Sequence, residues 1–343
     1  MARIIFTLCG VGLGHASRDS SLIKELRKKH DVKVVTYGNA LDYLKEFKPI
    51  EMEGFPVYYD THGEYNELIS IGKNIPRTPK VIGENLEFFR KIIHEFKPNL
   101  IVSDYDVFGF YAAKFFGIKH VFISNMHSLK YFKLKRRHKM ESFSLVTGVL
   151  GLWPFIGIEN LFVIYLRKRK NLKGVKFFDV LVKEEVMKSR PKIRDYYLVY
   201  SEKNQLKTII PLLKKTNEKF IIYGIKEKNS AKTRFFEKYS KKGFLKHLTE
   251  CKGIISHGGL SLISEAIYLK KPVYTFTSAK FYERFFNGAT IEELGFGLLE
   301  EHPTKEALEE FFRRNSEFRK NIVKAKFKPG NNELLKEINK LLK

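Results

Sequence analysis

A histidine stands next to a glycine-rich turn near the start of the chain. The residues "CGVGLGHAS" follow an apolar run and place Gly10, Gly12 and Gly14 directly before His15. Glycines between a strand and a helix let a ligand approach the backbone amides at the helix N-terminus. Histidine titrates near neutral pH, and at the carboxyl end of a parallel strand it faces the crevice where open α/β sheets bind ligands. The pattern therefore indicates that His15 is a general base, against the alternative that it only starts a helix.

Two aspartates that follow a later apolar run are candidates to assist His15. Asp104 and Asp106 stand in "NLIVSDYDVFGF", directly after the apolar run Leu100 to Ser103. Because the carboxyl ends of parallel strands meet at one edge of a sheet, we expect an aspartate here to orient the imidazole and stabilise its protonated form. The alternative role is to cap the helix that begins near Val107. We assign the pairing with His15 to Asp104.

A second glycine turn, in the other half of the chain, is suited to a diphosphate. The residues "GIISHGGLSLISEAIYL" are typical of a strand, a turn and a helix, with His257, Gly258 and Gly259 at the turn. The amides around Ser261 then open the helix and aim hydrogen-bond donors and the helix dipole at a bound anion. Glu265, further along this helix, is suited to accept hydrogen bonds from a ribose.

The helix after the next strand carries two polar residues at helical spacing. Glu283 and Asn287 lie four residues apart in "FYERFFNGA" and therefore share one helix face. Such side chains suit sugar hydroxyls. The alternative for the whole region is a capped glycine turn that holds no ligand.

Several other kinds of site are excluded by their spacing. The first turn reads G-x-G-x-G, and the second strand ends in "VVTYGN" without an acidic residue for a ribose, so NAD binding is not expected. The turn also lacks the Gly-Lys-Ser/Thr ending of a P-loop. Cys9 and Cys251 have no zinc-site spacing and form no disulfide framework. We therefore expect no metal, no bound cofactor and a reducing cytoplasm.

Strand-length apolar runs alternate with amphipathic segments of helix length, a pattern typical of parallel sheets covered on both faces. The predicted strands are Arg3 to Leu8, Val32 to Tyr37, Leu100 to Ser103, His120 to Ser124, Tyr196 to Tyr200, Phe220 to Tyr223, Gly253 to Ser256 and Val273 to Phe276. The predicted helices of the first half are Ser17 to Lys29, Ala40 to Phe47, Val81 to Phe96 and Phe108 to Phe116. The sequence thus predicts an α/β fold with two doubly wound, Rossmann-like halves.

The chain is long enough for two domains, since it has 343 residues of which 43% are hydrophobic. Charge and Pro191 replace the apolar periodicity in "KEEVMKSRPKIRD", between Glu184 and Arg194. We therefore predict an N-terminal domain over residues 1–187 and a C-terminal domain over residues 188–343.

A segment at about 130–176 differs from both halves and forms an apolar and basic insertion in the first. Its stretch Leu145 to Leu166 has the ~20 residues that span a bilayer, but it contains Pro154, Glu159 and Asn160, which disfavour a transmembrane helix. The basic residues on its two sides are Lys130, Lys133, Lys135, Arg136, Arg137, Lys139, Arg167, Lys168, Arg169, Lys170 and Lys173. Such a segment suits docking on an anionic membrane surface, or equally the packing of ordinary helices with solvated cations.

The net charge of +25 also indicates an anionic partner. Nucleic acid is not favoured, because the basic residues are spread along the chain and no RNA-binding aromatic signature is present.

The second half resembles a known family. The stretches "HGGLSLISEA", "KPVYTF" and "YERFFNGA" are similar to the donor-binding signature of UDP-sugar glycosyltransferases with the two-domain GT-B fold. These include plant-type glucosyltransferases and the bacterial N-acetylglucosaminyltransferase that makes lipid-linked cell-wall precursor. The resemblance implies two Rossmann-like domains facing a central cleft. It also implies that His257 and the following amides hold the diphosphate, Glu265 the ribose and Glu283 the sugar hydroxyls.

The resemblance extends to the first half. "GVGLGH", with Gly12 and Gly14, is similar to the acceptor-side glycine loop of this family. His15 matches the general base of the plant-type members, and Asp104 falls where they keep the aspartate that pairs with the base.

Two further positions bear on the donor. The resemblance places "GFLKHL" near the uracil and implicates the backbone around Phe244 and Leu245. Arg284 stands where many members have glutamine beside the acidic residue, which bears on the identity of the donor sugar.

These features predict a cytoplasmic enzyme of the hexosyltransferase type, peripheral on the inner membrane face. It would move a sugar from a UDP-sugar co-substrate to a hydroxyl of a lipid or lipid-linked glycan, with inversion and without a metal. One alternative is a nucleotide-sugar epimerase of the same fold, which would turn over the donor without an acceptor. The other is a non-enzymatic basic protein that binds membranes or nucleic acid.

Overall fold

The chain divides into two compact units. The computed structural model describes residues 1–56, 58, 67–135, 157–238 and 240–343. Within those ranges, the first unit comprises residues 1–128, 157–183 and 330–343, and the second comprises residues 129–135 and 184–329. Each unit is built on one parallel β-sheet.

The sheet of the first unit has a doubly wound order. Its strands are β1 (Arg3–Leu8), β2 (Asp31–Thr36), β3 (Ile50–Glu51), β4 (Leu100–Asp104), β5 (His120–Ser124), β6 (Leu161–Tyr165) and β7 (Val175–Asp179). They are arranged β3-β2-β1-β4-β5-β6-β7, so the order of strand addition reverses between β1 and β4. Leu8 of β1 lies in register with Asp104 of β4 at this reversal. Open α/β sheets bind ligands at the carboxyl ends of the strands at such a point.

Helices cover both faces of this sheet. They are α1 (Gly14–Arg27), α2 (Asn39–Tyr43), α3 (Glu67–Asn74), α4 (Thr78–Phe96) and α5 (Val107–Phe115), with short 3-10 turns at Lys45–Phe47 and Ile75–Arg77. The next helix, α6 (Ser128–Tyr131), belongs largely to the second unit. Alternate residues of β1 face opposite layers: Ile4 and Phe6 pack in one hydrophobic cluster and Ile5 in the other. Helix α4 ends at Phe96 as predicted, because Pro98 disfavours helical geometry at Lys97, the residue that precedes it.

The second unit repeats the plan with a shorter sheet. Its strands are β8 (Tyr197–Tyr200), β9 (Phe220–Tyr223), β10 (Thr233–Phe236), β11 (Ile254–Ser256), β12 (Val273–Phe276) and β13 (Gly297–Glu300), in the order β10-β9-β8-β11-β12-β13. Its helices are α7 (Glu184–Lys188), α8 (Lys203–Lys214), α9 (Lys241–Glu250), α10 (Leu260–Tyr268), α11 (Tyr282–Glu293), α12 (Lys305–Arg313) and α13 (Asn315–Lys324). The order of strand addition reverses between β8 and β11, and α10 begins just after β11.

The last helix, α14 (Asn331–Leu341), returns to the first unit. The Asn331 side chain accepts a hydrogen bond from the Val182 amide and donates one to the Val182 carbonyl, both at 3.0 Å. Leu334 and Ile338 are buried in the first unit's core. The observed division therefore differs from the expected one, which assigned residues 330–343 to the second domain, because an amphipathic pattern does not say which core receives the helix.

Part of the apolar stretch between the halves belongs to the first sheet. Strand β6 is buried along its length, which agrees with ordinary packing of these residues. Among the basic residues that follow the stretch, Lys168 has its ammonium 3.0 Å from the Asp179 carboxylate. Residues 145–156 of the stretch, together with Arg136, Arg137 and Lys139, lie outside the described residues. Among the helices of the described ranges, none combines the length and apolarity required to cross a bilayer.

Candidate functional site

The glycine turn after β1 leads directly into α1. Gly12 has φ of +69°, a left-handed conformation that favours glycine, and Gly14 is the first helical residue. The helix therefore begins earlier than the predicted start at Ser17, whose amide instead donates to the Leu13 carbonyl inside the helix. As a result, His15 lies in the first turn of α1.

The structure brings His15 and Asp104 together. The distance from His15 Nδ1 to Asp104 Oδ2 is 3.2 Å, and 17% of the His15 side chain is exposed whereas the Asp104 side chain is completely buried. This pairing gives the imidazole a carboxylate on one side while part of the ring stays accessible. A histidine held in this way is suited to proton transfer.

The second aspartate of the pair has the capping role. Asp106 precedes α5, and its Oδ2 accepts a hydrogen bond of 2.7 Å from the Gly109 amide. Between the two aspartates, Tyr105 has φ of +49°, which is unusual for a residue with a large side chain. Its ring lies nearly parallel to the His15 imidazole, with 6.0 Å between the ring centroids.

Sequence reasoning missed the residue that contacts both members of this pair. Arg18 is 6% exposed and lies one turn after His15 on α1. Its Nε donates to Asp104 Oδ2 at 2.8 Å, and its Nη2 donates to Asp104 Oδ1. The same Nη2 lies 2.9 Å from His15 Nδ1, and Nη1 donates to Asn125 Oδ1 at 3.1 Å. His15, Asp104 and Arg18 therefore form a triad.

The charges of this cluster are set by burial and by Arg18. Burial acts to raise the pKa of Asp104, but the charge of the adjacent Arg18 outweighs it and holds this pKa well below its usual range. Asp19, also completely buried, has its pKa raised well above the usual value by burial and by the Asp104 charge. Asp104 is therefore the ionised carboxylate of the cluster.

The second candidate site is the turn between β11 and α10. Gly258 has φ of +92°, and a Cβ atom at this position would lie 2.6 Å from the Arg284 carbonyl oxygen. Asn287 is buried, and its Nδ2 donates to the Gly258 carbonyl at 3.0 Å. The Asn287 amide therefore helps to hold the turn, and its role towards sugar hydroxyls stays a prediction. Gly259 then occupies the N-cap of α10, so the amides of the first helical turn directly follow the glycine turn.

We expect Gly258→Ala to destabilise the second unit and to abolish nucleotide binding. The left-handed backbone alone costs about 1–3 kcal/mol for a side chain, and the Cβ atom also meets a backbone oxygen. Chemical denaturation and calorimetric titration with UDP measure the two effects. Gly83→Ala is the matched control, because Gly83 lies in α4 with open space around its Cβ position and should gain up to about 1 kcal/mol. A Gly258→Ala protein that binds UDP like the wild type would contradict this role for the turn.

His257 lies between opposite charges at the start of the turn. The Arg284 guanidinium donates to Glu202 Oε1 at 2.5 Å, and the Tyr200 ring centroid lies 6.2 Å from that of His257. Burial, followed by the Arg284 charge, lowers the pKa of His257 to about 3, against the opposing effect of Glu202. His257 is therefore neutral at physiological pH and offers an N–H donor without a positive charge. The cation near the turn is Arg284, the residue that departs from the family pattern.

This environment predicts a pH dependence of stability. The ordinary pKa of histidine is about 6.5, so between about pH 6.5 and pH 3 the unfolded chain takes up a proton at His257 that the folded chain does not. The contribution of the neutral His257 to the free energy of unfolding is complete above this pH window and is lost as the pH falls through it. We expect Tm to fall less between pH 7 and pH 5 in His257→Asn than in the wild type. The exposed His302→Asn is the control, and equal falls in all three proteins would show that His257 does not titrate in this way.

The remaining predicted donor residues lie on the two helices that flank the turn. Ser261 and Glu265 belong to α10, where Glu265 is 4% exposed, and Glu283 is in the first turn of α11. The structure thus places them on helices that begin at the same edge of the sheet as the turn.

Phe244 and Leu245 are central residues of α9. The Phe244 amide donates to the Ser240 carbonyl, and the Leu245 carbonyl accepts from the Thr249 hydroxyl, each at 2.8 Å. These two groups thus have partners within the helix, and a contact of the backbone in this region with uracil stays a prediction. The Phe244 ring packs against Tyr200, with 5.4 Å between the centroids.

Two doubly wound units, each with a glycine turn before a helix at its switch point, have the architecture of a GT-B glycosyltransferase. The chain belongs to glycosyl transferase family 1, whose family model matches residues 2–315. It is 24% identical over 340 residues to an uncharacterized glycosyltransferase of Methanosarcina mazei, across 88% of this chain and 86% of that protein.

Solved structures share the fold. A UDP-glucosyltransferase from Polygonum tinctorium, solved in complex with 3,4-dichloroaniline, has a TM-score of 0.69 at 10% identity, covering 100% of this chain and 99% of its own. The spinosyn forosaminyltransferase SpnP has a TM-score of 0.67 at 15% identity, covering 99% of both chains. At these identities the likeness establishes the architecture.

Proposed function

We propose that this glycosyltransferase moves a hexose from a UDP-sugar to a hydroxyl group by a single inverting displacement without a metal ion. The hydroxyl oxygen bonds to the anomeric carbon as the bond from that carbon to the diphosphate oxygen breaks. The hydroxyl proton passes to His15 Nε2, and the nucleoside diphosphate leaves. The observation that carries the proposal is the contact of 3.2 Å between His15 and the buried Asp104.

The turn of the second unit supports the donor part of the proposal. Negative charge develops on the diphosphate as it leaves, and the amides of α10 offer fixed donors for it. The neutral His257 adds an N–H donor, and Arg284 supplies positive charge nearby. These groups would stabilise the leaving diphosphate without a cation. That the Polygonum protein is named a UDP-glucosyltransferase supports uridine as the base.

The acceptor part of the proposal is a lipid or a lipid-linked glycan at the inner membrane face. The net charge of +25 supports it, because a strongly basic protein is attracted to an anionic membrane surface. Co-flotation with phosphatidylglycerol vesicles at low salt is the expected result. Absence from the vesicle fraction would remove the membrane from the proposal and leave a water-soluble acceptor.

Calorimetric titration tests the donor site. We expect UDP and UDP-glucose to bind the wild type and Glu265→Ala to bind at least about tenfold more weakly, since the loss of a charge-assisted hydrogen bond costs about 1.5–3 kcal/mol. The matched control is Glu309→Ala, an exposed glutamate of α12 in the same unit. Binding of a GDP-sugar in place of UDP would change the nucleotide assignment. No nucleotide binding at all would overturn the proposal.

A further inference from the structure

The two groups that flank His15 Nδ1 make opposite demands on it. Arg18 Nη2 lies 2.9 Å from Nδ1, and Asp104 Oδ2 lies 3.2 Å from it. An arginine nitrogen only donates hydrogen bonds, whereas a carboxylate oxygen only accepts them. The shorter contact, to Arg18, is attractive only when Nδ1 carries a lone pair. In that case the imidazole proton sits on Nε2.

Arg18 is not free to turn this donor away. Its Nε and Nη2 both donate to Asp104, in the planar, two-point arrangement that a guanidinium prefers, and its Nη1 donates to Asn125. The side chain is 6% exposed, so little solvent is present to replace these partners. The guanidinium is therefore fixed, and its contact with Nδ1 is part of the same arrangement.

We propose that Arg18 is a positioning residue that holds His15 of the free protein as the neutral tautomer with its proton on Nε2. The proposal rests on the proposed role of His15 as general base. In this tautomer Nε2 has no lone pair, so the resting protein does not accept a proton from water or from a hydroxyl group. Arg18 thereby protects a bound donor from hydrolysis until an acceptor is present.

Base catalysis then requires the imidazole to turn so that Nδ1 leaves Arg18 Nη2 and faces Asp104 Oδ2, while the guanidinium stays in place. Nδ1 takes a proton from solvent and Nε2 gives one to solvent, so the imidazole is neutral before and after the exchange. The new N–H at Nδ1 is accepted by Asp104 Oδ2, and Nε2 becomes the acceptor for the hydroxyl proton. Acceptor binding against the partly exposed ring is the event that would favour this second tautomer.

The other groups around the imidazole do not set its tautomer in place of Arg18. Asp19 is completely buried beside Asp104 and Arg18, and burial favours its uncharged form. Tyr105 presents a ring face from the residue after β4. In the part of the chain that the structure describes, the charged groups in contact with His15 Nδ1 are Asp104 and Arg18, which oppose each other.

The tautomer can be measured in the wild-type protein without any variant. Long-range ¹H–¹⁵N correlation spectra of protein labelled with [¹⁵N]histidine separate protonated from unprotonated ring nitrogens, and His15→Gln identifies the His15 signals by their loss. We expect an unprotonated Nδ1 and a protonated Nε2 at neutral pH. A protonated Nδ1 would overturn the proposal.

A conservative variant tests whether Arg18 is the cause. Arg18→Lys keeps a positive charge for Asp104, but one ammonium group does not reproduce the two-point contact together with the donor to Nδ1. We expect the proton to move to Nδ1 in this variant.

The outcomes separate this proposal from the proposed function. Retention of the proton on Nε2 in Arg18→Lys would overturn the role of Arg18, whatever the activity. Failure of the wild type to bind any nucleotide would overturn the proposed function, while the spectra would still decide the tautomer. If Arg18→Lys does not fold, the spectrum of the wild type decides alone.

Discussion

His15→Ala is expected to reduce the rate of sugar transfer by about 10²–10⁴-fold, the range that a positioned general base contributes. The affinity for UDP-glucose should stay unchanged, because the groups proposed to bind the donor belong to the second unit whereas His15 belongs to the first. UDP release from UDP-glucose measures the rate, with an alkyl glycoside as a source of aliphatic hydroxyls and 4-nitrophenol as an acidic hydroxyl.

The choice of acceptors separates a base from a merely structural histidine. An aliphatic hydroxyl depends strongly on proton removal, whereas an acidic phenol ionises without help, so the loss in His15→Ala should be smaller with 4-nitrophenol. His94→Gln, an exposed histidine of α4 in the same unit, is the matched control and should transfer sugar at the wild-type rate. An equal loss with both acceptors would contradict base catalysis by His15.

The fold was predictable where apolar runs end abruptly at polar or turn residues. Strands β1, β5, β9 and β12 have the predicted bounds, since each is a short apolar run closed by such residues. Strands β6 and β7 were missed for a physical reason. Their sequences lie among many basic residues, and a short buried strand there has the same apolar content as a helix segment or a membrane-docking stretch.

The candidate site was predictable only in part. Glycine spacing found His15 and the turn at Gly258, because a tight turn before a helix demands that residue type. Arg18 was missed, since a charged residue inside a helix is normally solvent-exposed. Its position three residues after His15 was the available signal, because residues at this spacing share a helix face. The Arg18 charge can be buried because it pairs with Asp104, which lies far from it in the sequence.

The charge of His257 lay beyond sequence reasoning altogether. The low pKa of His257 comes from burial and from Arg284, whose side chain turns towards Glu202. A family pattern marks Arg284 as unusual without revealing that contact. Roles that depend on a third residue brought in by tertiary packing therefore need the structure.

Asp104→Ala is expected to lower the free energy of unfolding of the first unit by about 3–5 kcal/mol, because it leaves the buried Arg18 guanidinium without its carboxylate. The same principle predicts that replacing both partners, in Arg18→Met with Asp104→Leu, costs less than removing one. Chemical denaturation followed by circular dichroism measures these values, with the transition of each unit analysed separately since two units need not unfold together.

Asp106→Ala provides the matched comparison, because this aspartate lies two residues away and is also buried, but it acts as a helix cap. Loss of a cap costs about 1–2 kcal/mol, so Asp106→Ala should be the milder of the two single substitutions. Equal losses for the two aspartates, or a double variant less stable than Asp104→Ala, would mean that the Arg18–Asp104 ion pair is not the main interaction of this buried cluster. Arg18 contacts both His15 and Asp104. The order of the three variants in free energy of unfolding therefore tests whether the residues that position His15 also stabilise the first unit.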